Sequence, residues 1–297
     1  MLFLPLYVIM FLINGSLPGK GGLPIKAGKE TMTKQKPFVP ANLLSKLWRA
    51  LIEFDMLQAN DRILIGLSGG KDSMFLTAAL AEIQRHSPIP FEVACYTVDA
   101  MFDDCFPAGE LHSFCAAYGL KHYHEKVNVR EAWQNKGNTP CFTCAYFRRA
   151  ATNRKASELG CNKVALAHHH DDAVETFLMN ILASGQLKTF LPATPLSRSG
   201  LTVLRPLLYY REEEIREAIE ILGLKPLKNP CPYDGRTKRA EVKEQIAALC
   251  AGMPEIYAHL AAAMRFSSAE ELWPRQLSQQ EMTSKFRAFW HKKQKEQ

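Results

Sequence analysis

The sequence predicts an α/β fold: a parallel sheet with helices on both faces, three layers deep, carrying helical extensions. Three observations predict it. Short apolar runs rich in β-branched residues alternate with helical patterns of about 10–15 residues, the signature of parallel strands joined by right-handed crossovers. The first such run ends in the turn Ser68-Gly69-Gly70-Lys71-Asp72-Ser73, immediately before a helical pattern. Three polar groups, at 68–73, at Asp99 and at 168–172, each follow a predicted strand and therefore share the carboxyl edge of the sheet, where such folds bind ligands.

Residues 41–57 place apolar side chains at helical spacing, and 63–67 is a short buried strand. The helix over 71–85 turns Met74, Leu76, Ala79, Leu80 and Ile83 to one side. A second strand over 91–98 ends at Asp99, a helix covers 108–118, and a third strand is expected over 121–129. After a loop at 135–140, a helix over 141–159 is closed by Gly160. A strand at 164–167 leads through His168-His169-His170-Asp171-Asp172 into a helix reaching about residue 182. Residues 201–208 are extended, 211–222 form an amphipathic helix ended by Gly223, and 236–250 and 254–295 read as helical. The domain organisation expected is a tail at 1–31, a helical segment at 32–60, a nucleotide-type domain at 61–225, and a cysteine-containing loop with a helical extension at 226–297.

Composition narrows the class. The chain has 297 residues, 47% hydrophobic and 23% charged, as expected of a folded protein with a sizeable core. Its net charge is +7; residues 1–31 hold Lys20, Lys26, Lys29 and Glu30, a sum of +2, which leaves +5 on the rest. A basic excess suits an anionic partner such as RNA, and equally a solvated basic surface. Eight cysteines are too scattered for a disulfide scaffold, so clustered ones point to metal or thiol chemistry. The opening run MLFLPLYVIMFLI is too short to span a bilayer and lacks a basic start. It is read as upstream sequence or a dispensable tail, with Met32 as the expected start and a membrane anchor as the minority reading.

The 68–73 turn suits an anion. A Walker loop would need glycine where Ile65 stands, and the Rossmann spacing is absent. Gly69 and Gly70 still permit a tight turn that presents backbone N–H groups, and the helix that follows adds its positive dipole end. Ser68 and Ser73 can donate hydroxyls, Lys71 supplies a charge, and Asp72 can cap the helix or hold Mg²⁺.

Cys141 and Cys144 form a CxxC at a helix start, and Cys231 follows about ninety residues on. A redox pair, half a zinc site and part of an iron–sulfur site are all compatible with that spacing. In the histidine run, adjacent side chains diverge, so one histidine (His168) is expected to contact substrate or phosphate, while Asp171 or Asp172 holds Mg²⁺ or helps activate the target. A structural reading of the same positions makes Asp171 or Asp172 an N-cap and Glu175 its capping-box partner. The basic residues Arg148, Arg149, Arg154, Lys155, Arg236, Lys238, Arg239 and Lys243 suit an RNA backbone or complement helix ends.

SGGKDS resembles the loop of the PP-loop ATP pyrophosphatase family. Together with PCFTCAYFRR, ALAHHHDDAVETFLMN, LRPLLYYREEEI and NPCPYDGRTKR, it makes residues 42–265 similar to the TtcA-type tRNA thiolation enzymes, the TtuA group and, more distantly, lysidine synthetase. The resemblance implies a fold of the adenine nucleotide alpha hydrolase type and adenylation of a tRNA pyrimidine, cytidine favoured, followed by replacement of its oxygen by sulfur. It further implies ATP held by Ser68, Gly69, Gly70, Lys71, Asp72 and Ser73 with Asp99 at the nucleoside, Mg²⁺, and a [4Fe-4S] cluster on Cys141, Cys144 and Cys231. Arg148 falls where related enzymes carry a basic residue near the active site. Partners implied are tRNA and a sulfur donor, either sulfide or a cysteine desulfurase, in the cytoplasm, without stable membrane association; a homodimer is compatible. The chain departs from the best-known members after Cys231, where CPYDG stands in place of a further cysteine. Two other readings are an amide- or lysidine-forming relative with zinc at the cysteines, and a nucleotide-binding regulatory module without turnover.

Overall fold

The computed structural model describes residues 37–102, 106–129, 140–228, 231, 238–265, 277–285 and 287, with the side chains of Pro140 and Cys141 outside that description. The tail at 1–31, the loop at 135–139 and Arg236 lie outside the described residues.

Six strands form one sheet: β1 (Asp61–Gly66), β2 (Phe91–Asp99), β3 (Lys121–Lys126), β4 (Lys163–Ala165), β5 (Ala193–Pro195) and β6 (Thr202–Leu204). Their order is β3-β2-β1-β4-β6-β5. The pairs β1–β2, β2–β3, β1–β4 and β4–β6 are parallel. The helices are α1 (Ser45–Glu53), α2 (Lys71–His86), α3 (Ala108–Ala117), α4 (Pro140–Glu158), α5 (His170–Ser184), α6 (Glu212–Ile221), α7 (Lys238–Gly252) and α8 (Ile256–Arg265). None of the described helices is long and apolar enough to cross a membrane.

The sheet departs from the all-parallel expectation at one edge. β5 runs antiparallel to β6, with Ala193 opposite Leu204 and Pro195 opposite Thr202. Only the turn 196–201 joins them, closed by Leu196 N–H donating to the Leu201 carbonyl at 2.8 Å. A parallel crossover takes a dozen residues or more, so this connection permits only a hairpin. Pro195 fits because an edge strand tolerates the missing donor. The strands expected at 121–129 and 164–167 are shorter than the pattern predicts, ending at Lys126 and Ala165.

Strand alternation builds the three layers. Ile63 and Ile65 of β1 point into one core with Phe75, Leu76 and Leu80 of α2 and Ile215 of α6. Leu64, between them, points into the opposite core with Tyr96, Val164 and Ala151 and Ala156 of α4. A third cluster joins Val174 of α5 to Val242 and Ile246 of α7. Helix α2 is buried from Ser73 to Ile83, wider than an amphipathic stripe, because it lies between the sheet and α6. Its small residues Ala78, Ala79 and Ala81 let the backbones approach.

The chain adds β2 and β3 to one side of β1, then β4 and β6 to the other. The order therefore switches between β1 and β4. In such sheets the connections leaving the two central strands go to opposite faces and open a crevice at their carboxyl ends. The 68–73 turn leaves β1 there and the 168–172 run leaves β4.

Candidate active site

At the end of β1, Leu67 stays in the sheet through its N–H to the Tyr96 carbonyl at 2.9 Å, and its own carbonyl accepts the Thr97 hydroxyl at 2.7 Å. The chain then turns at Gly69, whose φ is +84°. Ser73 Oγ donates to the Gly70 carbonyl at 2.9 Å and accepts the Ser68 N–H at 3.2 Å; the two serine hydroxyls lie 3.0 Å apart. Gly70 is the N-cap of α2 and offers no side-chain cap. Among the described residues the first N–H groups of α2 thus have no side-chain acceptor, at the positive end of a 16-residue helix. That is the chemistry of an anion cradle. Asp72 does not cap the helix; its two carboxylate oxygens each lie 3.0 Å from Lys71 Nζ.

Lys71 has a second partner that no local pattern foreshadows. Glu212, in the first turn of α6, places Oε1 3.2 Å from Lys71 Nζ. It also binds Arg216 at 2.8 Å and Lys243. Burial alone would raise its pKa, but Arg216, Lys243 and Lys71 outweigh burial and hold the carboxyl far below the usual range.

The three histidines leave the chain in three directions. His168 packs against Phe190 with centroids 5.2 Å apart, and its buried Nδ1 has no hydrogen-bond partner among the described residues. Burial, helped by Arg205 and Arg239 and opposed by Asp172, brings its pKa down to about 4, so the ring is neutral. His169 is buried and faces the acids, its Nε2 3.5 Å from Asp172 and 4.0 Å from Asp72. His170 meets the Tyr257 hydroxyl at 2.7 Å.

His169, not an aspartate, is the N-cap of α5. Its ring accepts the Asp172 N–H at 3.4 Å while Asp172 accepts the His169 N–H at 2.9 Å, a reciprocal box one turn earlier than the sequence suggested. Asp172 also receives Arg239. Asp171 accepts Arg211 Nε at 2.9 Å and the Glu212 N–H at 2.7 Å, which outweigh burial and lower its pKa. Both carboxylates, expected at Mg²⁺ or the target, have protein partners here. Glu175, displaced from the capping role, is buried with Arg239 Nε 3.9 Å away. Burial and the neighbouring Asp172 raise its pKa to about 7.

That shift predicts a pH dependence of stability. Glu175 binds its proton more tightly folded than unfolded, so its contribution is full below pH about 4.5 and lost as pH rises through about 7. Glu175→Gln should flatten the decline of the urea midpoint between pH 5 and pH 8. An unchanged slope would mean that Glu175 ionises as freely folded as unfolded.

The other expected residues lie around this centre. Asp99 ends β2, buried, and its Oδ1 accepts the Met101 N–H at 2.8 Å, so the carboxylate closes its own turn. Arg148 and Arg149 are exposed on α4. Arg154 and Lys155 pair with Glu158, and Arg154 also with Glu125. Cys144 and Cys231 are half-buried thiols; Cys141 is the second residue of α4 by its backbone. Cys141 and Cys144 are three positions apart along α4. The Leu227 N–H donates to the Gly69 carbonyl at 2.9 Å. Cys231 follows four residues later, so the chain holds it within about 14 Å of that anchor. Among the described residues no three His, Cys, Asp or Glu are arranged to hold a metal ion; the Cys141 side chain is not one of them. The donors fit an iron–sulfur group by chemistry: all three are soft thiols, Cys144 and Cys231 are half-buried, and Cys231 is tethered to the PP-loop backbone.

A family model described as the PP-loop domain matches residues 43–249. A tRNA-cytidine(32) 2-sulfurtransferase of Pelobacter propionicus is 33% identical over 240 residues, 79% of this chain and 87% of that protein. This chain belongs to the TtcA-type branch of the PP-loop family. A second relative of the same name, from Anaeromyxobacter dehalogenans, is 33% identical over 245 residues, covering 80% of this chain and 83% of that one. Among solved structures, the U34-tRNA thiolase NcsA from Methanococcus maripaludis with its [4Fe-4S] cluster matches with a TM-score of 0.61 and 24% identity. The match covers 74% of this chain and 76% of that one, and it shows a shared fold.

The PP-loop itself predicts an asymmetry between its glycines. A Cβ at Gly69 would sit at positive φ and 2.7 Å from Leu227 Cδ1. At Gly70 the nearest atom would be Ser68 Oγ at 3.5 Å, and φ is −71°. Gly69→Ala should cost about 1–3 kcal/mol in urea unfolding and Gly70→Ala less than about 0.5 kcal/mol. Equal losses would show that the turn does not demand glycine at 69.

Proposed function

We propose that this chain is an ATP-dependent tRNA sulfurtransferase of the cytoplasm, acting on a pyrimidine, with cytidine favoured. Its sulfur comes from sulfide or a cysteine desulfurase, and a homodimer is the assembly compatible with it. The observation that carries the reading is the uncapped PP-loop at the sheet's switch point, tied by Leu227 to the segment bearing Cys231.

The uncapped N–H groups of α2, the Ser68 and Ser73 hydroxyls and Lys71 hold the β- and γ-phosphates of ATP. Asp72 is the carboxylate placed to hold Mg²⁺, which when bound adds positive charge beside the departing diphosphate. The base oxygen attacks the α-phosphorus, the bond to the bridging oxygen breaks, and pyrophosphate leaves with its charge met by Lys71 and the helix end. The carbon–oxygen bond to AMP is then one a sulfur nucleophile can displace. Cys141, Cys144 and Cys231 would hold a [4Fe-4S] cluster, which supplies an iron site for sulfide when bound. Asp99 lies on the nucleoside side of the crevice. His168 and Arg148 serve the RNA side, and Asp171 and Asp172 position His169, Arg211 and Arg239 around the reacting groups.

The test is anaerobic purification of the full chain, followed by incubation with ATP, sulfide and unmodified tRNA. The reading expects an iron–sulfur absorbance, tRNA-dependent pyrophosphate release and a thiolated cytidine in digested tRNA. A zinc-loaded colourless protein that makes no thionucleoside would overturn it.

A further inference from the structure

Arg205 follows β6 directly and is partly buried at the same carboxyl edge as the PP-loop. Its Nη1 donates to the Leu191 carbonyl at 2.7 Å and to the Thr194 hydroxyl at 2.9 Å, both neutral groups. Its Nε is buried and has no hydrogen-bond partner among the described residues. The guanidinium lies over the Phe190 ring, 5.0 Å from the centroid. A second orphan, Nδ1 of His168, belongs to a ring that packs on the same phenylalanine. Among the described residues no carboxylate pairs with Arg205; its charged neighbour is another cation, Arg149 of α4, which joins burial in lowering the Arg205 pKa.

A partly buried cation beside a second cation, with a donor unused, is costly unless an anion completes it. The planar guanidinium fork matches phosphate oxygens. The position separates this group from the ATP phosphates. β6 is two strands from β1, and at about 4.8 Å per strand the two strand ends lie about 10 Å apart.

We propose that Arg205, Arg149 and His168 form a phosphodiester site that clamps the RNA backbone beside the nucleotide to be modified. It is separate from the PP-loop, and it rests on the tRNA reading above. His168 contributes an uncharged N–H donor and the two arginines contribute the charge.

The full chain is titrated with unfractionated tRNA across 50–200 mM salt, and with ATP separately. Arg149→Gln leaves the bonds of Arg205 to Leu191 and Thr194 intact and changes an exposed residue. It should lower tRNA affinity about fivefold at the lowest salt and reduce the slope of log affinity against log salt by about 0.7, one single-stranded phosphate contact, with ATP affinity unchanged. Arg205→Lys keeps the charge without the fork and should lower affinity while leaving the slope alone. Unchanged tRNA affinity and slope in Arg149→Gln overturn the site while the tRNA reading stands. A fall in ATP affinity with tRNA binding intact assigns the arginines to the nucleotide and overturns the RNA source. A wild-type chain that binds no tRNA overturns both.

Discussion

Lys71→Met lowers tRNA-dependent pyrophosphate release by about 10²–10³-fold, about 2.7–4 kcal/mol of transition-state stabilisation. The expectation follows from where the ammonium sits. It is the one cation in the PP-loop turn, and it bridges Asp72, 3.0 Å away, and Glu212, 3.2 Å away. Methionine keeps most of the side-chain volume but leaves those two carboxylates facing each other and the triphosphate. Both effects act on the same step, since the charge growing on pyrophosphate loses its counter-charge and gains two neighbours of its own sign. The side chain is partly exposed, so folding should survive. Single-turnover pyrophosphate release at saturating ATP checks it, with Lys71→Arg as the charge-preserving control. A loss under tenfold would place Lys71 away from the phosphates.

The largest stability effect is expected at the opposite end of the sheet. Asp61 and Lys163 start β1 and β4, both buried, with Nζ and Oδ2 2.6 Å apart. Asp61 also accepts Asn162 Nδ2 at 2.7 Å and the Gln58 N–H at 2.6 Å, and Lys163 donates to the Met56 carbonyl at 2.9 Å. These bonds pin the amino ends of the two strands whose carboxyl ends open the crevice. Asp61→Ala strands a buried ammonium and should cost about 3–5 kcal/mol, enough to unfold a marginal domain. Asp61→Leu combined with Lys163→Met removes both charges and should recover most of that loss. Urea midpoints of the single and double variants decide it. If Asp61→Ala costs under about 1 kcal/mol, the pair is solvated and contributes as surface pairs do.

Much of the architecture was legible because it is local. Alternating apolar residues fix which face of β1 each side chain meets, and the turn chemistry at Gly69, Gly160 and Gly223 marks where elements stop; all three lie at positive φ. The serines, glycines and lysine of the PP-loop are contiguous, so one turn suffices to gather them. The hairpin of β5 on β6 was not legible, since a three-residue strand carries too little pattern to register. Nor was the N-cap at His169: aspartate is the better cap by preference, but the helix begins where the chain leaves β4.

By itself the sequence determined the alternation of β1 to β4 with the helices between them, the anion-binding turn and the thiols available to a metal. Tertiary structure alone decided which charges meet. Glu212 reaches Lys71, and Arg239 reaches Asp172, across long stretches of chain. Leu227 bonds the PP-loop backbone, and among the described residues Arg205 is left beside Arg149 without a carboxylate. The physical reason is range: periodicity and turn chemistry act over a few residues, whereas these pairings exist only once the parallel crossovers have brought distant strand ends to one edge.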